Sequence, residues 1–377
     1  MEMKKRGMLN YGSEDLSWKL WHEGPVFDRE NVVLVHGFKL PSFSARDRCD
    51  AAFRGLDDLL QTSEGHYNVW QFEYTNGFWG TVDRIATYVS RLEEAVNRIV
   101  KATGRSTCSV VAYSMGGIIA RKYVAMGGKS RVDRLLTLAT PHMGIMQPLP
   151  FDLQWPGRFV PRAAAELRPD SRLLWDLNTK VGSSTAPEFA AVGGYSWGHT
   201  DGLIEIGSAS LVKSDTDGSV AERLYFAGVN RSHLNINDIR DRGDEVFQLI
   251  RGFLHGGLAG ISRLRPAEEP GYYDGRPFLT FALRQEPRRR RVYPFVVVKN
   301  TRHRYSGYRV FSQGARTEDG SYIFTVRLQP DDEGEAKIHY ARGEYTTVQV
   351  HRGQSTIVTE RLGAGSATPE PMLSGVA

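Results

Sequence analysis

Ser114 lies in the hexapeptide AYSMGG, residues 112 to 117, between an apolar run, CSVVAYS, and a helix-like segment, IIARKYVAM. Small residues two before and two after a serine permit a sharp strand-to-helix turn that lifts its hydroxyl clear of a sheet, as a nucleophile requires. The first of these positions is Ala112 where glycine is usual; alanine is the smallest replacement, so the turn stays feasible with slightly more crowding. A serine hydroxyl is a poor nucleophile at its own pKa, so a base and an orienting acid must follow, in the order nucleophile, acid, base. HTDGLIEIGSASL offers Asp201 and VNRSHLNI offers His233, each just after a strand-like run and therefore at a strand's carboxyl end beside the serine. A carboxylate there would fix the imidazole tautomer and stabilise the imidazolium. Asp217, in DTDGSV, is the second candidate for the acid. A developing oxyanion needs two preorganised N–H donors, and Phe38, in VLVHGF, and Met115 are placed to supply them. His36 in the same motif reads as a strand-end residue that holds the following loop by hydrogen bonds.

The elements that must position these groups are legible in the hydrophobic pattern. Residues 31 to 255 alternate short apolar runs with helix-period segments, the pattern of a parallel sheet covered by helices on both faces. The runs are NVVLVHGF, YNVWQFEY, CSVVAYS, DRLLTLAT, EFAAVGGY and RLYFAGV, and Ile85, Val89, Leu92, Val96 and Ile99 mark an amphipathic helix between the second and third. RLRPAEEPGYYDGR, residues 263 to 276, has no period and carries Pro and Gly, so it reads as a linker. Beyond it PFLTFALRQ, VYPFVVVKN, YSGYRVF, SYIFTVRLQ, AKIHYA, YTTVQVH and STIVTERL, separated by turn residues, predict an all-β sandwich domain over 277 to 362. Residues 363 to 377 read as a flexible tail, and 1 to 262 as the catalytic domain.

Length and composition narrow the classes. The 377 residues suffice for about two domains, and 41% hydrophobic with 24% charged residues argues against disorder, collagen and polytopic membrane classes. Two cysteines, Cys49 and Cys108, permit at most one bridge and exclude a cysteine-rich metal cluster; His199 with Asp201 is an isolated pair, so no metal and no cofactor is expected. The start, MEMKKRGMLNYGSEDLSW, has a basic cluster without the apolar segment of a secretory signal, and no apolar run reaches transmembrane length, which reads as cytoplasmic with secretion by another route left open. Residues 263 to 377 hold 18 Lys and Arg against 13 Asp and Glu, so the whole formal charge of +5 falls there. The run Arg288, Arg289, Arg290, Arg291 is either a solvated turn or an approach to an anionic interface, and without an aromatic-interleaved stripe it does not point to nucleic acid.

Together HGF (36 to 38), AYSMGG (112 to 117), LATPHMG (138 to 144), ELRPDSRLLWDLNT (166 to 179), TDGLIEIGSASL (200 to 211) and NRSHLNI (230 to 236) resemble the bacterial lipase and esterase branch of the α/β-hydrolase superfamily, over about residues 30 to 255. The resemblance implies an α/β-hydrolase fold, Ser114 as nucleophile, His233 as base, Asp201 as acid, and the Phe38 and Met115 amides as oxyanion hole. It also implies a cap or lid, about residues 144 to 185, over an acyl pocket, with His142 and Met143 in the pocket wall. The expected activity is hydrolysis of acyl esters of lipids or other apolar alcohols through an acyl-enzyme. An acyltransferase on the same site, or a non-catalytic interaction protein using the β-sandwich, are the alternatives; the intact Ser, Asp and His set counts against the last.

Overall fold

In the computed structural model the described residues are 9–12, 19–22, 28–39, 52–53, 55–64, 66–75, 81, 83–146, 161–179, 187–210, 213–214, 224–261, 265–266, 276–284, 293–310, 314–341 and 344–362. Asp217, Cys49 and the run Arg288 to Arg291 lie outside them.

Strands β1 (Leu9–Gly12), β2 (Lys19–His22) and β3 (Glu30–Val35) are followed by helix α1 (Leu56–Glu64) and strand β4 (Tyr67–Glu73). Helix α2 (Ile85–Thr103), strand β5 (Cys108–Tyr113), helix α3 (Met115–Ala125) and strand β6 (Val132–Leu138) come next. Short helices α4 (Arg162–Glu166) and α5 (Arg172–Thr179) precede β7 (Glu188–Gly194), α6 (Ile206–Ala209), β8 (Lys213–Ser214), β9 (Leu224–Val229), α7 (Glu245–Gly256) and β10 (Arg265–Pro266). The first sheet runs β1-β2-β4-β3-β5-β6-β7-β9-β10, with β4 through β9 parallel and antiparallel strands at both edges.

This is the α/β-hydrolase architecture, and alternation along its strands explains why it forms. Val33, Val35, Val110 and Ala112 face α2 and α3, while Val32, Leu34, Val111 and Leu136 face α1 and α7, so each strand buries both sides and reads as a continuous apolar run. Helix α2 buries Ile85, Val89, Leu92, Val96 and Ile99, the stripe expected from the sequence, and ends where Gly104 adopts φ 71°. From β3 the chain crosses to β4 on one side and then to β5 on the other. The carboxyl ends of β3 and β5 therefore flank a switch point, where side chains from separate strands converge.

The remaining strands are β11 (Phe278–Leu283), β12 (Phe295–Asn300), β13 (Arg304–Arg309), β14 (Tyr322–Arg327), β15 (Asp332–Ala341), β16 (Glu344–Val350) and β17 (Thr356–Leu362). They form two four-stranded sheets, β14-β11-β17-β8 and β13-β12-β15-β16, around a shared core that includes Leu279, Phe281, Val296, Val298, Phe324 and Ile338. The opposite face of β11 carries Phe278 and Ala282, which pack with Ile323 and Ile357 against Met143 and Trp175 of the hydrolase. Strand β8 comes from the hydrolase and pairs with β17. Of the segment 144 to 185, the described parts include α4 and α5, and Leu174 and Leu177 of α5 are buried in the core beneath α2 and α3. No helix among the described residues is long and apolar enough to cross a membrane.

Arg327 of β14 pairs with Glu205, whose other oxygen, Oε2, has no hydrogen-bond partner among the described residues. Removing the cation would strand a buried carboxylate, whereas removing both charges would not. Arg327→Met is expected to lower unfolding free energy by about 2 kcal/mol, discounted for the guanidinium's partial exposure, and Arg327→Met with Glu205→Gln to recover part of that loss in denaturant titrations.

Candidate active site

Ser114 occupies the turn between β5 and α3 with φ 53° and ψ −126°, a conformation that costs a non-glycine residue roughly 1–3 kcal/mol. Its surroundings show what holds it. A Cβ on Gly116 would lie 2.4 Å from the His36 carbonyl oxygen and 2.6 Å from that of Val35, and one on Gly117 would meet Thr140 Oγ1 at 2.0 Å. The start of α3 is therefore wedged against the ends of β3 and β6 in a way that glycine permits. The Ser114 amide donates to the Leu138 carbonyl at 2.8 Å, fixing the elbow to β6 as well. Ala112 is fully buried within β5.

His233, on the loop after β9, lies with Nε2 3.1 Å from Ser114 Oγ and Nδ1 2.8 Å from Asp201 Oδ2. Asp201 Oδ1 accepts from the Leu203 and Ile204 amides at 2.9 and 2.7 Å, so both carboxylate oxygens are engaged. The two loops are stapled once more by the His233 amide, which donates to the Asp201 carbonyl at 2.8 Å. Gly194 at the end of β7 makes this closure possible, since a Cβ there would sit 2.3 Å from the Arg231 carbonyl oxygen and 2.8 Å from Asp201 Cβ. Gly202, at φ 98°, completes the Asp-Gly turn.

The loop after β3 reaches the same point. A Cβ on Gly37 would be 2.9 Å from Ser114 Cβ, so the Gly37–Phe38 peptide runs directly beside the serine. Met115 opens α3, whose N-terminal amides and helix dipole favour negative charge at this spot.

Sequence reasoning missed Tyr113. Its hydroxyl donates to the His233 carbonyl at 2.6 Å and its ring lies 5.2 Å from the imidazole, so the residue before the serine also braces the histidine. Burial and the Asp201 charge push its phenol well up, keeping it a donor. The signal was adjacency alone, which spacing does not distinguish from an ordinary strand residue.

His142 and Met143, expected in the pocket wall, are both buried. His142 Nδ1 lies 3.1 Å from Arg121 Nη1 and Nε2 3.1 Å from Thr137 Oγ1, while Met143 belongs to the contact with the β sheets. Arg121 of α3 also donates to Asn178 Oδ1 at 3.0 Å and Asn178 Nδ2 to the His142 carbonyl at 2.8 Å, tying α3 to α5. His142 is thus tied to α3, β6 and α5.

A model of the palmitoyl protein thioesterase family matches residues 31–177, which span the loop after β3, the turn at Ser114 and most of α5. Phospholipase PlaB from Legionella pneumophila has the same fold at 10% identity, with 91% of this chain and 97% of that one covered and a TM-score of 0.53. The chain has the α/β-hydrolase fold. The hydrolase also aligns with the mature lipase BlEst2 from Bacillus licheniformis at 17% identity, covering 63% of this chain and 97% of that one with a TM-score of 0.46. No curated protein sequence matches it.

Burial first, and the Arg121 charge second, hold the His142 imidazole well below its ordinary value, so it stays neutral in the folded protein. The unfolded chain takes up a proton near pH 6.5 that the native state refuses, so the contribution of His142 to stability is complete above that pH and declines below it. Urea unfolding between pH 5 and 7 should show a stability slope smaller in His142→Gln than in the wild type, by up to about 1.4 kcal/mol per pH unit.

Proposed function

We propose that the protein is a serine carboxylic-ester hydrolase acting on acyl esters of lipids or other apolar alcohols, with Ser114 as nucleophile, His233 as general base and Asp201 as the orienting acid. The observation that carries this reading is the continuous hydrogen-bonded path from Ser114 Oγ through His233 to Asp201, at 3.1 and 2.8 Å, on a strained elbow. Asp201 is fully occupied by two amides and one imidazole nitrogen, so it accepts from Nδ1–H and leaves Nε2 as the basic nitrogen facing the serine.

In the forward half-reaction Ser114 Oγ bonds to the ester carbonyl carbon as its proton passes to His233 Nε2, and the carbonyl oxygen takes the negative charge between the Phe38 and Met115 amides. The carbon–oxygen bond to the alcohol then breaks, and His233 returns the proton to the leaving alcohol. Water, deprotonated by the same imidazole, attacks the acyl-enzyme, releasing the acid and restoring Ser114. The same sequence cleaves a thioester, with a thiol as leaving group, which is the chemistry named by the matching family model. The segment 144 to 185, rich in Met, Phe, Trp, Leu and Pro, supports a cap that shields an apolar acyl chain. His142 and Met143, both buried and adjoining α5, enter the proposal as wall residues of the acyl pocket.

Ser114→Ala should abolish hydrolysis of p-nitrophenyl esters, by about 10⁴-fold or more in kcat, with an unchanged circular dichroism spectrum. Wild-type turnover in this folded variant would remove Ser114 from the reaction.

Asp201→Asn should reduce kcat by up to about 10⁴-fold, because an amide favours the wrong imidazole tautomer, while Asp217→Asn should leave it within a few-fold. The opposite ranking in steady-state assays would transfer the acid's role to Asp217.

A further inference from the structure

The oxyanion loop is held by more than its own backbone. Tyr74, just past the end of β4, stacks on the His36 ring with centroids 3.9 Å apart and planes 8° from parallel. Its hydroxyl lies 2.9 Å from the His36 carbonyl oxygen and 2.8 Å from that of Gly37. His36 Nδ1 lies 2.7 Å from the same Gly37 oxygen, and Nε2 lies 2.9 Å from Glu73 Oε1. The ring therefore bridges the Gly37 carbonyl and the Glu73 carboxylate. Burial would raise the Glu73 carboxyl, but His36 and Lys39 hold it well below the usual carboxylate range. Lys39 Nζ lies 2.5 Å from Glu73 Oε2, and the Thr75 amide and hydroxyl both donate to Oε1.

One peptide plane links this cluster to the chemistry. The Gly37 carbonyl and the Phe38 N–H belong to the same trans peptide unit and point in opposite directions, so fixing the oxygen fixes the direction of the N–H. Lys39 is fixed on the far side, where its amide donates to Thr81 Oγ1 at 2.9 Å and its carbonyl accepts from the Thr81 amide at 3.0 Å. The Phe38 amide is thereby clamped from before and after, beside Ser114.

We propose that Glu73, His36 and Tyr74 are positioning residues that preorganise the Phe38 amide for the oxyanion, with Glu73 holding the His36 ring and the ring and the Tyr74 hydroxyl holding the Gly37 carbonyl. This rests on the reading of Ser114 as nucleophile and of Phe38 as oxyanion donor. It assigns a role in transition-state binding to two residues of β4's end that touch no substrate. An interaction fixed before the reaction and used as charge develops changes kcat and leaves substrate affinity alone.

The test uses full-length protein, a soluble short-chain p-nitrophenyl ester and a fluorophosphonate probe. Tyr74→Phe keeps the stacked ring and removes only the hydroxyl; Glu73→Gln removes the carboxylate that holds the His36 ring. Deleting an oxyanion donor outright costs roughly 10²–10³ in kcat, so loosening one should cost about 10-fold in Tyr74→Phe and up to about 100-fold in Glu73→Gln, with KM within two-fold. The rate of fluorophosphonate labelling should fall by a similar factor while its final extent stays complete. If Glu73→Gln fails to fold, Tyr74→Phe still decides the matter. Wild-type kcat and labelling rate in Tyr74→Phe, or a rise in KM at unchanged kcat, would overturn the positioning role and leave the serine reading intact. Absence of labelling in the wild type, together with turnover in Ser114→Ala, would overturn the serine reading and this inference with it.

Discussion

The contact on which the site depends is the approach of backbone to backbone where the end of β3 meets the start of α3. Gly37 lies against Ser114, and Gly116 lies against the carbonyls of Val35 and His36, at separations that no side chain could share. The strained serine is affordable only because this packing and the Ser114 amide bond to Leu138 leave it no alternative. Ser114 and the loop after β3 therefore share one steric constraint, and movement of either would misplace both.

Around that constraint the polar groups are arranged so that each reactive side chain has its remaining valences filled. Asp201 spends one oxygen on two amides, His233 has its amide and carbonyl bonded to Asp201 and Tyr113, and Gly37 has its carbonyl held by the end of β4. In an environment this dry, a partner left unpaired would cost more than the bond it makes contributes. That asymmetry favours one arrangement over nearby ones and gives the loops a rigidity that loops usually lack.

How much of this could be read beforehand depended on whether the signal was local. The six central strands and α2 follow from apolar runs and a 3.6-residue stripe, and observed and expected limits differ by a few residues where polar ends such as His36 to Phe38 leave the ladder. Strands β1, β2 and β10 escaped because edge strands are short and their pairing rests on neighbours distant in sequence. Ser114, Asp201 and His233 were legible because each sits in a turn with its own composition, and the structure brings the three together. Glu73, Tyr74 and Arg121 were not, since a polar residue at a strand end or on a helix looks the same whether it faces water or a buried partner. His142 and Met143 stand in a motif of their own, TPHMG, but a linear pattern does not show that Arg121, Thr137 and Asn178 are the partners of His142.

The seam between the hydrolase and the β sheets bears on how the chain is made. Phe278, Ile323 and Ile357 cover Met143 and Trp175, and Ile357 belongs to β17, about two hundred residues after Met143 in the chain. Until that strand emerges from the ribosome, an apolar surface beside α5 stays open to water and β17 is missing from the middle of its sheet. Contacts of such long sequence separation form late and slowly, so a chain in which β17 has not yet docked would present that apolar surface to other molecules.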